Sequence, residues 1–263
     1  SFPGRAPRST MRPTVKSSKR EERKAAMIPS IVDLSVAVHD GHCRWAIERV
    51  LARSYEAGDT HQATQMTMSF HSFTHMDSPK HFDRDGFTTT EITPEMTVGP
   101  AAVIDLPGES NRAITAADMD ASGADVYPDD IAILRTKWDQ QRSVKELNFW
   151  TNAPYLEADA CRWLYDKGIK AIAYDFPQDY CIRDYATGAR MPEWEENTSH
   201  IELLLKGVIM FEYLCNMGAI QSKRPLFVGL PIKVEGSDGA PARCVVFDQE
   251  QPAPVKQTLR AAS

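Results

Sequence analysis

Strand-length apolar runs recur at 31–38, 65–70, 101–106, 131–136, 169–174, 208–214, 226–230 and 244–247, with stretches of helical spacing between them. This alternation restricts the chain to an α/β arrangement. Apolar strands must bury their faces against a second layer, and the interposed helices supply it. Thr115 and Asp118 read as a capping box that opens one helix. Pro154 reads as the start of a second, with Leu156, Ala160, Trp163 and Leu164 at helical spacing and Gly168 as its stop. A third spans 199–206 and ends at Gly207. No internal repeat or linker follows residue 30, so a single domain over 29–250 is expected, a mixed sheet with flanking helices.

Charge and composition narrow the function. The chain carries −6 overall, yet its first 24 residues hold eight Lys/Arg against two acids, which leaves −12 for the rest. An acidic body argues against nucleic acid as the main partner. Residues 1–28 are basic, Ser/Pro-rich and poor in large apolar side chains, so a disordered arm is expected there, with a short tail at 251–263. No run of about 18 apolar residues is present, so no membrane-spanning helix is expected. The five cysteines are scattered and form no C-x-x-C pair, which suits a reducing cytoplasm and argues against a cysteine zinc site.

The chemistry is concentrated in His71-Ser72-Phe73-Thr74-His75-Met76-Asp77-Ser78-Pro79-Lys80-His81. Three of the chain's seven histidines fall in these eleven residues, around an aspartate. Pro79 prevents a helix from running through, so the segment reads as strand-to-loop, unlike a helical H-E-x-x-H. In an extended backbone His75 and Asp77 share one face. Imidazole and carboxylate together suit zinc, manganese or iron. Further on, Glu212 lies inside the apolar run 208–214, where a carboxylate must pair with a cation, face water or bind metal. His200 opens the preceding helix. Together His71, His75, Asp77, His200 and Glu212 offer ligands for one or two divalent metals. His39, His42 and His61 read as solvated loop residues.

The pattern H-x-x-x-H-x-D-x-P-x-H, with a distant His and a Glu twelve residues beyond it, resembles the cyclase superfamily of metal-dependent hydrolases, which includes bacterial kynurenine formamidase and isatin hydrolase. Asp33-Leu34-Ser35, Gly41 with Trp45, the strand 130–138 and the closing segment 231–243 extend the likeness over 31–248. The resemblance implies a swivelling β/β/α fold and hydrolysis of an amide, lactam or lactone in a small, cyclic or aromatic substrate. It implies His71, His75 and Asp77 on a first metal, with Asp77 bridging to a second held by His200 and Glu212, and His81 as general acid/base. Zinc or manganese is the expected metal, and a homodimer or homotetramer the expected assembly. Trp45, Phe73 and Phe176 are the expected substrate contacts. Phe73 stands where the motif usually has Gly, and 176–198 is longer and more aromatic than the formamidase connection. Two other readings use part of the same pattern. One is a non-haem iron oxygenase built on His75, Asp77 and His200. The other is a non-catalytic metal- or ligand-binding member of the fold.

Overall fold

Along the computed structural model, which describes residues 28–251, the strands are β1 (Ile28–Asp33), β2 (Glu48–Arg53), β3 (Ala63–Thr67), β4 (His75–Asp77), β5 (Val98–Asp105), β6 (Ala113–Ile114), β7 (Ile131–Arg135), β8 (Tyr155–Leu156), β9 (Ala171–Tyr174), β10 (Ile209–Glu212), β11 (Leu226–Pro231) and β12 (Gly239–Gln251). The helices are α1 (Pro94–Thr97), α2 (Ala116–Ala121), α3 (Trp138–Gln141), α4 (Leu147–Thr151), α5 (Ala158–Asp166), α6 (Ile182–Thr187) and α7 (Thr198–Glu202). The basic arm and the C-terminal tail expected from the sequence lie outside the described residues.

Eight strands form one mixed sheet in the order β1-β12-β11-β5-β7-β9-β10-β4, and β4 also pairs with β12. That extra pairing closes the sheet from β12 round to β4 into a barrel-like ring. The β5–β7–β9–β10 portion is parallel, while β4, β11 and β12 join it antiparallel. Side chains alternate across it. Ile131, Ile133, Ala171, Ala173, Ile209 and Phe211 point inward to one core with Met76 and Phe227. Ala132, Leu134, Ile172, Tyr174 and Met210 point outward to a second core that includes Leu156, Ala160 and Leu164. With both faces covered, the parallel strands read as unbroken apolar runs. The interior is tight: a Cβ at Gly229 would stand 2.6 Å from the Phe211 ring.

The capping box forms as expected, with Thr115 N donating to Asp118 Oδ2 at 2.8 Å and Thr115 Oγ1 at 2.9 Å. Other sequence expectations shift. Tyr155–Leu156 pair in parallel with Ala113–Ile114, and this pairing keeps Leu156 in a strand, so the helix begins only at Ala158. The helix expected over 199–206 is α7 followed by a separate 3₁₀ turn at Leu204–Lys206, closed by left-handed Gly207. The run at 65–70 contributes β3, but β3 pairs with β2 alone, in a hairpin outside the main sheet. The first strand ends at Asp33, after which Ser35 makes an isolated bridge to Leu214.

Candidate metal centre

β4 and β10 run antiparallel with Glu212 opposite His75, Phe211 opposite Met76 and Met210 opposite Asp77. Met76 and Phe211 fill the barrel interior, so the two-residue period turns His75, Asp77 and Glu212 together onto the outer face. The 3₁₀ turn Pro79–His81 then brings His81 back, stacked on His71 with ring centroids 3.9 Å apart. His200 arrives from α7, and Phe82 stacks on its ring at 4.4 Å. Gly239, paired with Asp77, leaves room for His71, because a Cβ there would stand 2.7 Å from His71 Cε1.

Hydrogen bonds fix which imidazole nitrogens face the centre. His75 Nδ1 donates to the Phe73 carbonyl at 2.9 Å. His200 Nδ1 donates to Asp179 Oδ2 at 2.7 Å, and Asp179 Oδ1 is held by the Ser199 N–H at 2.7 Å. Both histidines therefore turn an Nε2 lone pair inward. His75 Nε2 lies 3.1 Å from Asp77 Oδ1 and 3.6 Å from Glu212 Oε2. His200 Nε2 lies 3.5 Å from Asp77 Oδ2 and 3.4 Å from Glu212 Oε1. Buried His75 Nε2 and Asp77 Oδ2 have no hydrogen-bond partner. Lone pairs facing lone pairs out of water are costly unless a cation lies among them. Imidazoles whose far nitrogen is tied to a carboxylate or carbonyl are the usual form of metal-ligating histidine. His71, His75 and Asp77 offer ligand atoms within 4.8 Å of one another, as do Asp77, His81 and His200.

The charge balance fits the same picture. Burial alone would lower the pKa of His71, but the carboxylates of Asp77 and Asp238, at 2.7 and 3.0 Å from its nitrogens, raise it to about 9. His200 is also raised, its burial outweighed by Asp179, Asp77 and Glu212. Against burial, the neighbouring imidazoles hold Asp77 well below the usual carboxylate range. Burial and the nearby Asp77 push Glu212 up, but His200 and His75 outweigh them and leave it lowered. His81 is lowered by burial and by the charges of His71 and His200, against the pull of Asp77.

A cavity of about 250 Å³ opens over this cluster, its wall completed by Arg44, Phe82, Ile182, Tyr185, Asn197 and Tyr213. All six polar residues singled out in the sequence (His71, His75, Asp77, His81, His200 and Glu212) line it. The three expected substrate contacts do not. Trp45 lies one layer behind the wall, against Trp150 and Tyr213, and Phe176 is enclosed in the outer core. Phe73 adopts a left-handed backbone (φ 55°), which turns its ring away from the cavity into Trp45 and His42. Glycine adopts that conformation without strain, whereas Phe73 must hold it through packing. His42 is buried rather than solvated: it stacks on Trp45 at 4.4 Å, and burial lowers its pKa to about 4.

Phe73→Gly relieves about 1–3 kcal/mol of left-handed strain but removes a buried ring worth about 3–5 kcal/mol. A net loss of about 2 kcal/mol is expected in urea unfolding of the metal-free protein. Equal or greater stability of the variant would contradict this packing account.

Sequence reasoning missed Asp179, Gln178 and Asp238, which hold His200, Glu212 and His71, and it missed Arg44 and Tyr213 in the wall. A usable signal was present. Gln178, Asp179 and Glu212 lie at the carboxyl ends of parallel strands β9 and β10, where ligand sites of such sheets gather.

The Cyclase family model matches residues 32–178, more than half of the chain. The chain belongs to the Cyclase family. Among curated relatives, a kynurenine formamidase of Bacillus mycoides (strain KBAB4) is 28% identical over 183 residues, covering 69% of this chain and 78% of that protein. A kynurenine formamidase of Bacillus cereus (strain ATCC 14579) is 26% identical over 220 residues, covering 82% of this chain and 96% of that protein. Among solved structures, isatin hydrolase A from Labrenzia aggregata bound to benzyl benzoate superposes with a TM-score of 0.67 at 21% identity, covering 84% of this chain and 94% of that one. The superposition shows a shared fold, the α/β fold with a mixed sheet and flanking helices expected for a Cyclase-family chain. His75, Asp77 and His200 of the oxygenase alternative do converge, but on this mixed sheet rather than on the all-β jelly roll that alternative implies.

Proposed function

We propose that this Cyclase-family protein is a metal-dependent hydrolase that cleaves the C–N bond of a small aromatic amide, of the formamide or cyclic-amide type. The observation that carries the reading is the facing set of unpartnered lone pairs of His75 and Asp77 beside Glu212 and His200, at the floor of a cavity sized for a small molecule. The kynurenine formamidase relatives supply the reaction class. His71, His75 and Asp77 would hold one divalent metal, zinc or manganese, and Asp77, His200 and Glu212 a second. When bound, the metal supplies a Lewis acid for the amide carbonyl and acidifies the attacking water.

The remaining work falls to the protein's own side chains. His81, held neutral by burial and neighbouring charge, takes a proton from the attacking water and returns it to the leaving nitrogen. His71 stacks on its ring at 3.9 Å, with Asp238 Oδ2 3.6 Å from its Nδ1. Gln178 donates to Glu212 Oε1 and fixes that carboxylate. Phe82, Ile182 and Tyr185 form an apolar wall for the aromatic ring and exclude bulk water.

The proposal places the hydrolase in 29–250, flanked by the basic arm and the C-terminal tail. All five cysteines are unpaired, which supports a reducing, cytoplasmic setting. Among the described residues no helix is long and apolar enough to cross a membrane. A homodimer or homotetramer is part of the proposal, supported by the exposed Val50, Leu51 and Met66 of the β2–β3 hairpin.

Hydrolysis of formanilides, isatin-like lactams, cyclic imides and lactones tests the reading. Turnover of at least one class by zinc- or manganese-loaded protein, abolished by chelation, is expected. No turnover of any class by loaded protein contradicts it.

Metal binding is also expected to release protons. A ligating imidazole must be neutral, and without metal His71, raised to about 9, carries a proton at pH 7.5. Affinity therefore falls as pH falls. Calorimetry in buffers of different ionisation enthalpy is expected to show roughly one proton released per chain at pH 7.5. A proton-independent enthalpy with pH-independent affinity would contradict the ligand set.

A further inference from the structure

Among the described residues, Arg44 is the only Lys or Arg in the cavity wall. Its guanidinium lies over three aromatic rings, 4.8 Å from the Trp150 centroid and 5.3 Å from those of Trp45 and Tyr213. Nη1 donates to the Tyr213 hydroxyl at 2.8 Å. Among the described residues no carboxylate forms an ion pair with it, whereas Arg112, Arg135, Arg190, Arg224 and Arg243 all have one. Asp77 and Glu212, the acids of the wall, are engaged by His71, His75, His200 and Gln178. A half-buried cation held in place by stacking, with donors to spare and no anion of its own, is a preorganised seat for a carboxylate.

Its position sets where that carboxylate sits. Tyr213 separates Arg44 from the candidate metal centre, its ring centroid 5.3 Å from the guanidinium and 5.5 Å from the His75 ring. One small aromatic molecule can therefore reach both ends of the cavity. We infer that Arg44 is the specificity-determining residue, and that the substrate is an aromatic amide bearing a carboxylate or equivalent anionic group on the side remote from the scissile bond. This rests on the hydrolase reading for its reaction and on the cavity geometry for its recognition.

The test compares zinc-loaded wild type with Arg44→Gln and Arg44→Lys on two kinds of substrate, the ortho, meta and para formamidobenzoates and neutral formanilide. The quantity read is the ratio of kcat/KM for the best anionic isomer to that for formanilide. A charge-assisted hydrogen bond predicts that this ratio falls ~10–100-fold in Arg44→Gln and by less in Arg44→Lys. A merely structural Arg44 would lower both values together and leave the ratio unchanged, which overturns the inference.

Calorimetric binding of the aminobenzoates against the neutral aminobenzamides, in the same loaded proteins, gives a readout that does not depend on turnover. A preference for the acid that is present in wild type and lost in Arg44→Gln sustains the inference even if neither amide is hydrolysed, a result that would sink the hydrolase reading alone. An equal preference in both proteins, as direct binding of the carboxylate to zinc would give, overturns it.

Discussion

Asp77→Asn is expected to give a folded protein that retains little metal and loses kcat/KM by ~10³-fold or more. Asp77 is buried at the junction of β4, β10 and β12, with one oxygen against His71 and His75 and the other facing His200. Asparagine keeps the shape but removes the charge, and it places either an amide oxygen or an N–H₂ donor where a carboxylate oxygen stood. Glu212 also faces His75 and His200, but among the described residues Asp77 alone adds His71 to that reach. Steady-state kinetics on the best substrate of the panel, with near-ultraviolet circular dichroism as the check on folding, reads the effect. A variant within tenfold of wild type would show that Asp77 does not hold the reactive centre.

His81→Gln is expected to behave differently. Its metal content should match wild type while kcat falls ~10²–10⁴-fold, the usual contribution of a positioned acid/base. The pH profile separates this role from a ligand's. A general base works only when deprotonated, so wild-type activity rises as pH climbs through the His81 pKa. Burial places that limb below the ordinary histidine value, and His81→Gln should lack it. Loss of metal from His81→Gln would instead make His81 a ligand, which its place in the Asp77–His81–His200 group makes a direct comparison.

The candidate site was more legible in the sequence than the surface around it, for a physical reason. The period-two rule puts His75 and Asp77 on one face of any extended segment, and β4 obeys it. Glu212 stood out because a carboxylate in an apolar run needs a partner, and the partners are His75, His200 and Gln178. The supporting shell was not legible. Asp179 and Asp238 are ordinary loop acids until the fold sets them against His200 and His71. The aromatic contacts failed on backbone geometry: the left-handed turn at Phe73 rotates its ring into the core, and Trp45 follows it there.

The fold shows the same division. The apolar runs that became β5, β7, β9 and β10 were visible because both faces of a parallel sheet are covered. A short element fixed only by tertiary pairing, such as β8 beside β6, has no local pattern to reveal it. The exposed β2–β3 hairpin alternates like a sheet strand but joins no other strand of the fold.

Elemental analysis of wild type and Asp77→Asn, purified side by side without added metal, decides whether this outer face of the barrel is a divalent metal centre. One to two equivalents of zinc or manganese are expected per wild-type chain, and little or none in the variant. Wild-type protein free of metal that takes none up on titration, or equal metal in both proteins, would contradict it.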